Sequence, residues 1–289
     1  MEQIRKYRPE DRDQLESLIY GELGLGKGEM TFLTEKCDEL IVCKSGDELL
    51  GFGFYRPLEN YDKTGNAYTY IAESKRNQGY GSKLHAEIVR IATDAGTEHF
   101  IARTVSSSEI EQNFYKKRDY QNWYILVDME HSAESVKDLG GNMVPYCDEH
   151  FEAYTKGERE AFYEMRKHHN FIPHYACEID EKTKKEFHDD LIGNTYVMLE
   201  NNDFLGAVTV TENGIIDDLF VAVEHQGKGV GRKLIHFAIN KACENGATSI
   251  HLDAVKWNIR AVNLYHSVGF HITHTKYFYM KDKVHFLLL

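Results

Sequence analysis

Two hexamers, Arg76-Asn77-Gln78-Gly79-Tyr80-Gly81 and Gln226-Gly227-Lys228-Gly229-Val230-Gly231, each stand between a short β-prone run and a stretch with helical apolar spacing. Glycines there let successive backbone N–H groups turn toward one point, and the start of a helix adds partial positive charge, so the device suits an anion such as a pyrophosphate. One such hexamer reads equally well as a plain glycine-rich turn. Two in the same context count for more. Downstream of the second, Asn258-Ile259-Arg260-Ala261, Tyr265 and Gly269-Phe270 put Ala261 and Tyr265 at i and i+4, on one helical face, where a tyrosine is ordinarily a core or boundary residue. Asp217 and Asp218 stand just ahead of Leu219 on the preceding strand, where regular pleating points one to each face. Such a pair is either a base with its partner or two acids solvating a strand end.

The elements that carry these residues repeat. At one constant offset Gly79 pairs with Gly229, Gly81 with Gly231, Lys83 with Lys233, Leu84 with Leu234, Ala92 with Ala242, Gly96 with Gly246, Val105 with Val255 and Tyr115 with Tyr265. Each copy reads as strand, glycine loop, helix, strand, helix. The strands are Tyr68 to Ala72 and Leu219 to Val223 before the loops, His99 to Val105 and Ser249 to Val255 after the helices. Gly96 and Gly246 stop those helices. Upstream, Leu40 to Ser45 with Leu49 to Arg56, and Tyr196 to Glu200 with Leu205 to Thr211, form hairpins around Gly46-Asp47 and Asn202-Asp203. Gln3 to Tyr7 and Asn142 to Tyr146 open the two copies. The first copy has a longer loop around 59–66, and the second carries a longer, charged, His-rich helical stretch, Asp148 to Leu191. His131 to Gly141 reads as the linker, which gives domains 1–130 and 142–289.

Length and composition agree with two packed domains. The chain has 289 residues, 42% of them hydrophobic, with 18 Tyr and 15 Phe against 4 Pro, values of a globular protein rather than a disordered one. No apolar run approaches a bilayer span and the start lacks a leader-like apolar region, so the expected location is cytoplasmic and no membrane partner is expected. A net charge of -12 disfavours nucleic acid and favours a cationic small molecule. The cysteines Cys37, Cys43, Cys147, Cys177 and Cys243 contain no CxxC pair and are expected to be buried thiols.

The combination of glycine loop and Asn258 to Phe270 run resembles the GCN5-related N-acetyltransferase family, marked by Q/R-x-x-G-x-G/A and a later Asn, Tyr and Gly-Phe. Copy two matches in order: Leu219-Phe220-Val221 leads in, Gln226 takes the Q/R place, and Gly229, Gly231, Asn258, Tyr265 and Gly269-Phe270 follow. Copy one keeps Arg76, Gly79, Gly81 and Tyr115, but has Ser108 for the Asn, Glu111 for the Ala and Asp119-Tyr120 for Gly-Phe. The resemblance covers nearly the whole chain, as a tandem member. It implies an α/β (α+β) fold of two tandem acyl-CoA N-acyltransferase-like domains, each a mixed, mostly antiparallel sheet flanked by helices and splayed at the glycine-loop strand. It further implies acetyl-CoA as cofactor, its pantetheine arm against the backbone of Phe220 and Val221. Its pyrophosphate would lie on Gln226, Gly227, Lys228, Gly229, Val230, Gly231 and Arg232, with Lys233 near and Asn258 behind. Arg76, Gln78, Gly79 and Gly81 are the corresponding loop in copy one. Tyr265 would stand by the thioester sulfur, donating to the leaving thiolate, with Asp217 as the base acting through a water on the incoming ammonium and Asp218 as the second candidate. Ala67 and Tyr68 replace those acids in copy one, so the second domain is expected to be the catalytic one. The implied reaction is transfer of an acetyl group to a primary amine, small molecule or protein, by direct attack. The alternative is a non-catalytic acyl-CoA-binding module.

Three other patterns carry less. Gly21-Glu22-Leu23-Gly24-Leu25-Gly26-Lys27-Gly28 nearly spells a phosphate-binding loop, but Gly28 replaces the magnesium-binding hydroxyl and a helix, not a strand, precedes it. His168, His169 and His174, or His266, His271 and His274, lack a carboxylate or Cys at a known spacing, so no metal is expected. Val284 to Leu289 reads as a last strand.

Overall fold

The computed structural model describes residues 2–23, 26–58, 63–104, 109–170, 189 and 191–282. The chain divides into two compact units, one taking residues up to Trp123 and again from Phe278, the other Tyr124–Tyr277.

In the first unit β1 (Glu2–Lys6), β2 (Glu39–Ser45), β3 (Glu48–Pro57), β4 (Thr64–Ile71) and β5 (His99–Thr104) lie in that order, antiparallel except for the parallel β4–β5 pair. That parallel pairing runs only from Thr64↔His99 to Asn66↔Ile101. Beyond it the strands part. Helix α1 (Arg12–Glu16) continues as a wider helical turn over Ser17–Glu22, and α2 (Lys27–Thr31) likewise over Phe32–Lys36. Together they bury Leu15, Ile19, Met30 and Leu33 against Val42, Phe52 and Tyr70. Of the near phosphate-loop run, Gly21 and Glu22 end the first of these segments and Lys27 and Gly28 begin α2, while Gly24 and Leu25 lie outside the described residues. On the way from β4 to β5, α3 (Tyr80–Asp94) approaches so closely that a Cβ on Gly53 would lie 2.2 Å from Ile88 Cδ1. Fully buried Asp11 accepts from Arg5 at 2.6 and 2.8 Å and from Lys44 at 2.9 Å, tying β1 and β2 to the start of α1. Burial alone would raise its carboxyl, but these bonds outweigh burial and hold it at about 2. Helix α4 (Glu109–Lys116) and the first residues of β6 (Gln121–His131) follow β5.

In the second unit β7 (Asn142–Pro145), β8 (Thr195–Glu200), β9 (Asp203–Val210) and β10 (Ile216–Val221) form an antiparallel sheet in sequence order. β11 (Ile250–Val255) pairs antiparallel with β6 from Ile250↔His131 to Val255↔Leu126. β10 and β11 meet at one parallel bridge, Ile215↔His251, where His251 N–H donates to Gly214 O at 2.9 Å. Helix α5 (Phe151–His168) precedes β8; α6 (Val230–Glu244) and α7 (Ile259–Ser267) follow β10 and β11, and β12 (His271–Asp282) ends the described chain. The apolar stripe of α6, Leu234, Ile235, Ala238, Ile239 and Ala242, packs on Val208, Val210, Ile216, Ile250 and Leu252. Residues 132–141 run along α6 without regular structure: Val136 N–H donates to Asn240 Oδ1 at 2.9 Å, and His236 Nδ1 donates to Lys137 O at 2.7 Å.

Both α3 and α6 end on left-handed glycines, Gly96 (φ 94°) and Gly246 (φ 84°), with the following N–H groups turned back to Ala92 O and Ala242 O at 3.0 and 3.1 Å. Within the described residues the helical reading of Asp148 to Leu191 is met by the turn at Asp148–His150, by α5 and by helical Asp189 and Leu191; 171–188 and 190 lie outside them, as does Val284 to Leu289. Of the cysteines, Cys43 is buried and Cys37 and Cys243 are half-buried, but Cys147 is exposed, which corrects the expectation of buried thiols. It sits where the chain leaves β7 for α5, its Sγ 3.4 Å from His150 Nδ1. Cys177 is outside the described residues. No helix among the described residues is long and apolar enough to cross a membrane.

Candidate active site

β10 pairs with β9 at Ile216↔Val210 and Asp217↔Thr209, and resumes at Phe220↔Ala207 and Val221↔Gly206, so a bulge intervenes. Asp218 lies in it with φ 45°, left-handed backbone that Asp tolerates better than most residues. The regular pleat expected to run through Asp217 and Asp218 is interrupted between Asp217 and Phe220, because the bulge takes Asp218 out of register. Asp217 is exposed and its Oδ1 accepts from the Asp218 N–H at 2.9 Å. Asp218 is half-buried; burial first, then the charges of Asp217 and Glu158, push its carboxyl up to about 7.

Glu158 and Tyr154 come from α5, one turn apart and both buried. The Tyr154 phenol is raised by burial and then by Asp218 and Glu158. α5 reaches β10 because Gly157 has no side chain: a Cβ there would lie 3.0 Å from both Phe204 and Phe220. Phe220 packs edge-on to Tyr154 at 5.1 Å between ring centres. The sequence reading missed this wall of the site. Its signal was the Tyr154, Gly157, Glu158 spacing, on one helical face.

Asn258 caps α7, its Oδ1 accepting from Ala261 N–H at 3.2 Å. The cap fixes the helix that carries Tyr265, which is 7% exposed. Burial first and the Asp217 charge second push its phenol up to about 12. Left-handed Gly269 (φ 107°) ends α7 where a Cβ would meet the His131 ring at 3.0 Å, and Phe270 drops into the core.

The glycine loop has left-handed Gly227 (φ 77°) and Gly229 (φ 83°), the latter as N-cap of α6. A Cβ on Gly229 would meet nothing within 4 Å, so the cradle is open on that side. Val230 and Gly231 open the helix, where N–H groups have no intrahelical acceptor. Gln226 turns away from the cradle: its Nε2 donates to Val221 O at 3.2 Å and its Oε1 accepts from Arg260 at 3.3 Å. Lys228 and Arg232 are exposed and Lys233 half-buried, and none of the three is ion-paired among the described residues. Arg232 donates to Ser267 Oγ at 2.9 Å.

The first unit has the same loop but different chemistry. Asn77 (φ 63°) and Gly79 (φ 87°) copy the backbone of Gly227 and Gly229, and Arg76 Nε donates to Ile71 O at 3.1 Å as Gln226 does to Val221. Gln78 stands for Lys228 and Ser82 for Arg232. Lys83, the counterpart of Lys233, is held by both Glu2 oxygens at 2.9 and 2.7 Å. Glu111 stands 3.8 Å from Arg76, and a Cβ on Gly81 would lie 3.1 Å from Phe114. β4 follows β3 from Gly51↔Ile71 to Pro57↔Gly65 without a bulge. Tyr115 is enclosed by His85 and Tyr120 and stacks on Tyr279 at 5.5 Å. Ser108 lies outside the described residues. Among the histidines, His168 stacks on Trp257 at 4.5 Å and His266 Nδ1 bonds Phe270 O at 3.0 Å; His174 is outside the described residues.

The model of the Acetyltransferase (GNAT) family matches this chain twice, over residues 5–120 and 148–270. An uncharacterized N-acetyltransferase, YobR of Bacillus subtilis, is 40% identical over 67 residues, 23% of this chain and 27% of that protein. The thialysine N-epsilon-acetyltransferase of Bos taurus is 33% identical over 57 residues, 20% of this chain and 34% of that protein. The matched stretches thus span about a third or less of these relatives. A GCN5-related N-acetyltransferase from Sphaerobacter thermophilus superposes with a TM-score of 0.74 at 16% identity, covering 98% of this chain and 96% of that one. A tandem GNAT protein from the clavulanic acid biosynthesis pathway gives 0.64 at 13%, covering 98% and 99%. At these identities the solved structures show the fold.

Proposed function

Because the chain belongs to the Acetyltransferase (GNAT) family, we propose that it transfers an acetyl group from acetyl-CoA to a primary amine, with catalysis in the second of two duplicated domains, 1–130 and 142–289, joined by 131–141. One observation carries the reading: the Asp217 charge raises both the Asp218 carboxyl and the Tyr265 phenol, and the strand that carries both acids leads into a glycine loop that is open at Gly229.

The cradle suits a pyrophosphate, with space at Gly229, N–H groups at Val230 and Gly231, and Lys228 and Lys233 to meet the charge. Acetyl-CoA, when bound, supplies the acyl group as a thioester that an amine can attack. Gln226 locks the loop to β10, and Asn258 holds α7 in place. The amine arrives protonated and is drawn by Asp217, Asp218 and Glu158. Asp218 accepts one proton, because a carboxyl near 7 is ionised about half the time at neutral pH and is basic enough to hold what it takes. The freed nitrogen pair forms the C–N bond, the C–S bond breaks with its electrons on sulfur, and the second ammonium proton, acidic once the nitrogen is bonded to the acyl carbon, passes to that sulfur to leave the amide and the free thiol. Tyr265 then donates a hydrogen bond to the sulfur. Full transfer from a phenol near 12 to a thiolate of about 8.5 would be uphill by about 5 kcal/mol, so Tyr265 keeps its proton and stabilises charge.

Release of free thiol from acetyl-CoA tests the reading with a panel of lysine, a polyamine and an aminoglycoside. Amine-dependent release that Gly229→Glu abolishes supports it. Release indifferent to every amine would contradict it.

A further inference from the structure

The first unit keeps a cavity of about 300 Å³ at the place where β4 and β5 part. Pockets for small molecules begin at roughly that volume. Its walls are aromatic, from Phe32, Phe52, Phe54, Tyr68 and Phe278, with Phe54 stacked on Tyr68 at 5.3 Å and Phe32 edge-on to Phe54 at 5.5 Å. Two charged side chains of opposite sign open onto it, Glu29 from α2 and Arg103 from β5, and neither has an ion-pair partner among the described residues. Both act on the same phenol: burial pushes Tyr68 up to about 12, Arg103 draws it down, and Glu111 and Glu29 add to the rise.

The neighbouring glycine loop is poorly equipped for a pyrophosphate. Gln78 and Ser82 replace two cations, Glu2 holds Lys83, and the Glu111 carboxylate faces Arg76. With Ala67 and Tyr68 in place of the acid pair, the cavity also has no carboxylate at the position of Asp217 or Asp218. A cavity with an aromatic body and two unpaired opposite charges, but no equipped phosphate cradle, has the chemistry of a binding site without that of a transferase.

We propose that the first unit is a ligand site for a free amino acid with an apolar side chain, its carboxylate on Arg103, its ammonium on Glu29 and its side chain among the aromatic walls. Burying an apolar group and completing two charge-assisted hydrogen bonds together favour the whole zwitterion over either charged half. Nothing in this depends on the activity of the second unit.

Isothermal titration of the full chain tests it, with L-phenylalanine and L-leucine as probes and 3-phenylpropanoate and phenethylamine as halves. The amino acids should bind, each half should bind at least tenfold more weakly, and Arg103→Gln and Glu29→Gln should each weaken the amino acids about tenfold or more. Arg103 is exposed and Glu29 half-buried, so the variants should melt with the wild type. Gly229→Glu should leave the binding unchanged. Absence of binding by both amino acids at millimolar concentration would overturn the proposal. So would binding insensitive to Arg103 and Glu29, or binding abolished by Gly229→Glu, which would move the ligand to the second unit.

Discussion

The backbone N–H of Asp218 donates to the Oδ1 of Asp217 at 2.9 Å, which ties the Asp217 carboxylate to the backbone of the β10 bulge that follows it. The contact gives the two acids different jobs. Asp217 is exposed, while Asp218 is half-buried, and burial with the charges of Asp217 and Glu158 pushes its carboxyl up to about 7.

The pH profile of kcat/KM should therefore rise from acid with an apparent pKa near 7, since Asp218 must be ionised to accept a proton. Asp218→Asn should remove that limb and lower the rate about 10²-fold at neutral pH, with partial recovery as rising pH deprotonates the amine in bulk. Asp217→Asn removes a like charge and should move the limb to lower pH. A limb unchanged in both variants would exclude the pair as the base.

The same shift bears on stability. The folded value of Asp218 lies above its unfolded value of 3.8, so the stability it contributes is present below that value and lost as pH rises through about 7. Asp218→Asn should then raise Tm, more at pH 8 than at pH 4. An equal change at both would mean that Asp218 is not held protonated by the fold.

Gly229→Ala and Gly229→Glu separate backbone from charge at the glycine loop. Both lose the ease of a left-handed φ of 83°, at about 1 kcal/mol, but the alanine Cβ enters open space. Acetyl-CoA affinity by calorimetry should fall modestly for alanine and by more than tenfold for glutamate, whose carboxylate opposes the phosphates. Equal losses would point to loop distortion alone.

Asn258→Ala removes the α7 cap and should cost about 1 kcal/mol in thermal stability. Because that cap positions Tyr265, kcat should fall more than KM changes. A KM effect alone would place Asn258 at the substrate instead.

The repeat was legible because glycines with a required left-handed φ, such as Gly79, Gly96, Gly229 and Gly246, leave a fixed trace in the sequence. Hairpins and the α6 stripe were legible for the same local reason. The β10 bulge was not, since it exists only in the register of Asp217 and Phe220 against Thr209 and Ala207 on another strand. Tyr154 and Glu158 were hidden because helical spacing gives a face without saying what that face meets. The cavity of the first unit needs Glu29, Tyr68, Arg103 and Phe278, which come from four separate segments.

The most direct measurement compares Tyr265→Phe with Tyr115→Phe under saturating substrates. Tyr265 lies within the influence of Asp217, while Tyr115 is packed among His85, Tyr120 and Tyr279 with no acid pair on β4. Tyr265→Phe should lower kcat about 10- to 100-fold with little change in KM, and Tyr115→Phe should leave kcat within about twofold, provided both melt as folded proteins. Loss of turnover in Tyr115→Phe with retention in Tyr265→Phe would contradict the assignment of catalysis to the second unit.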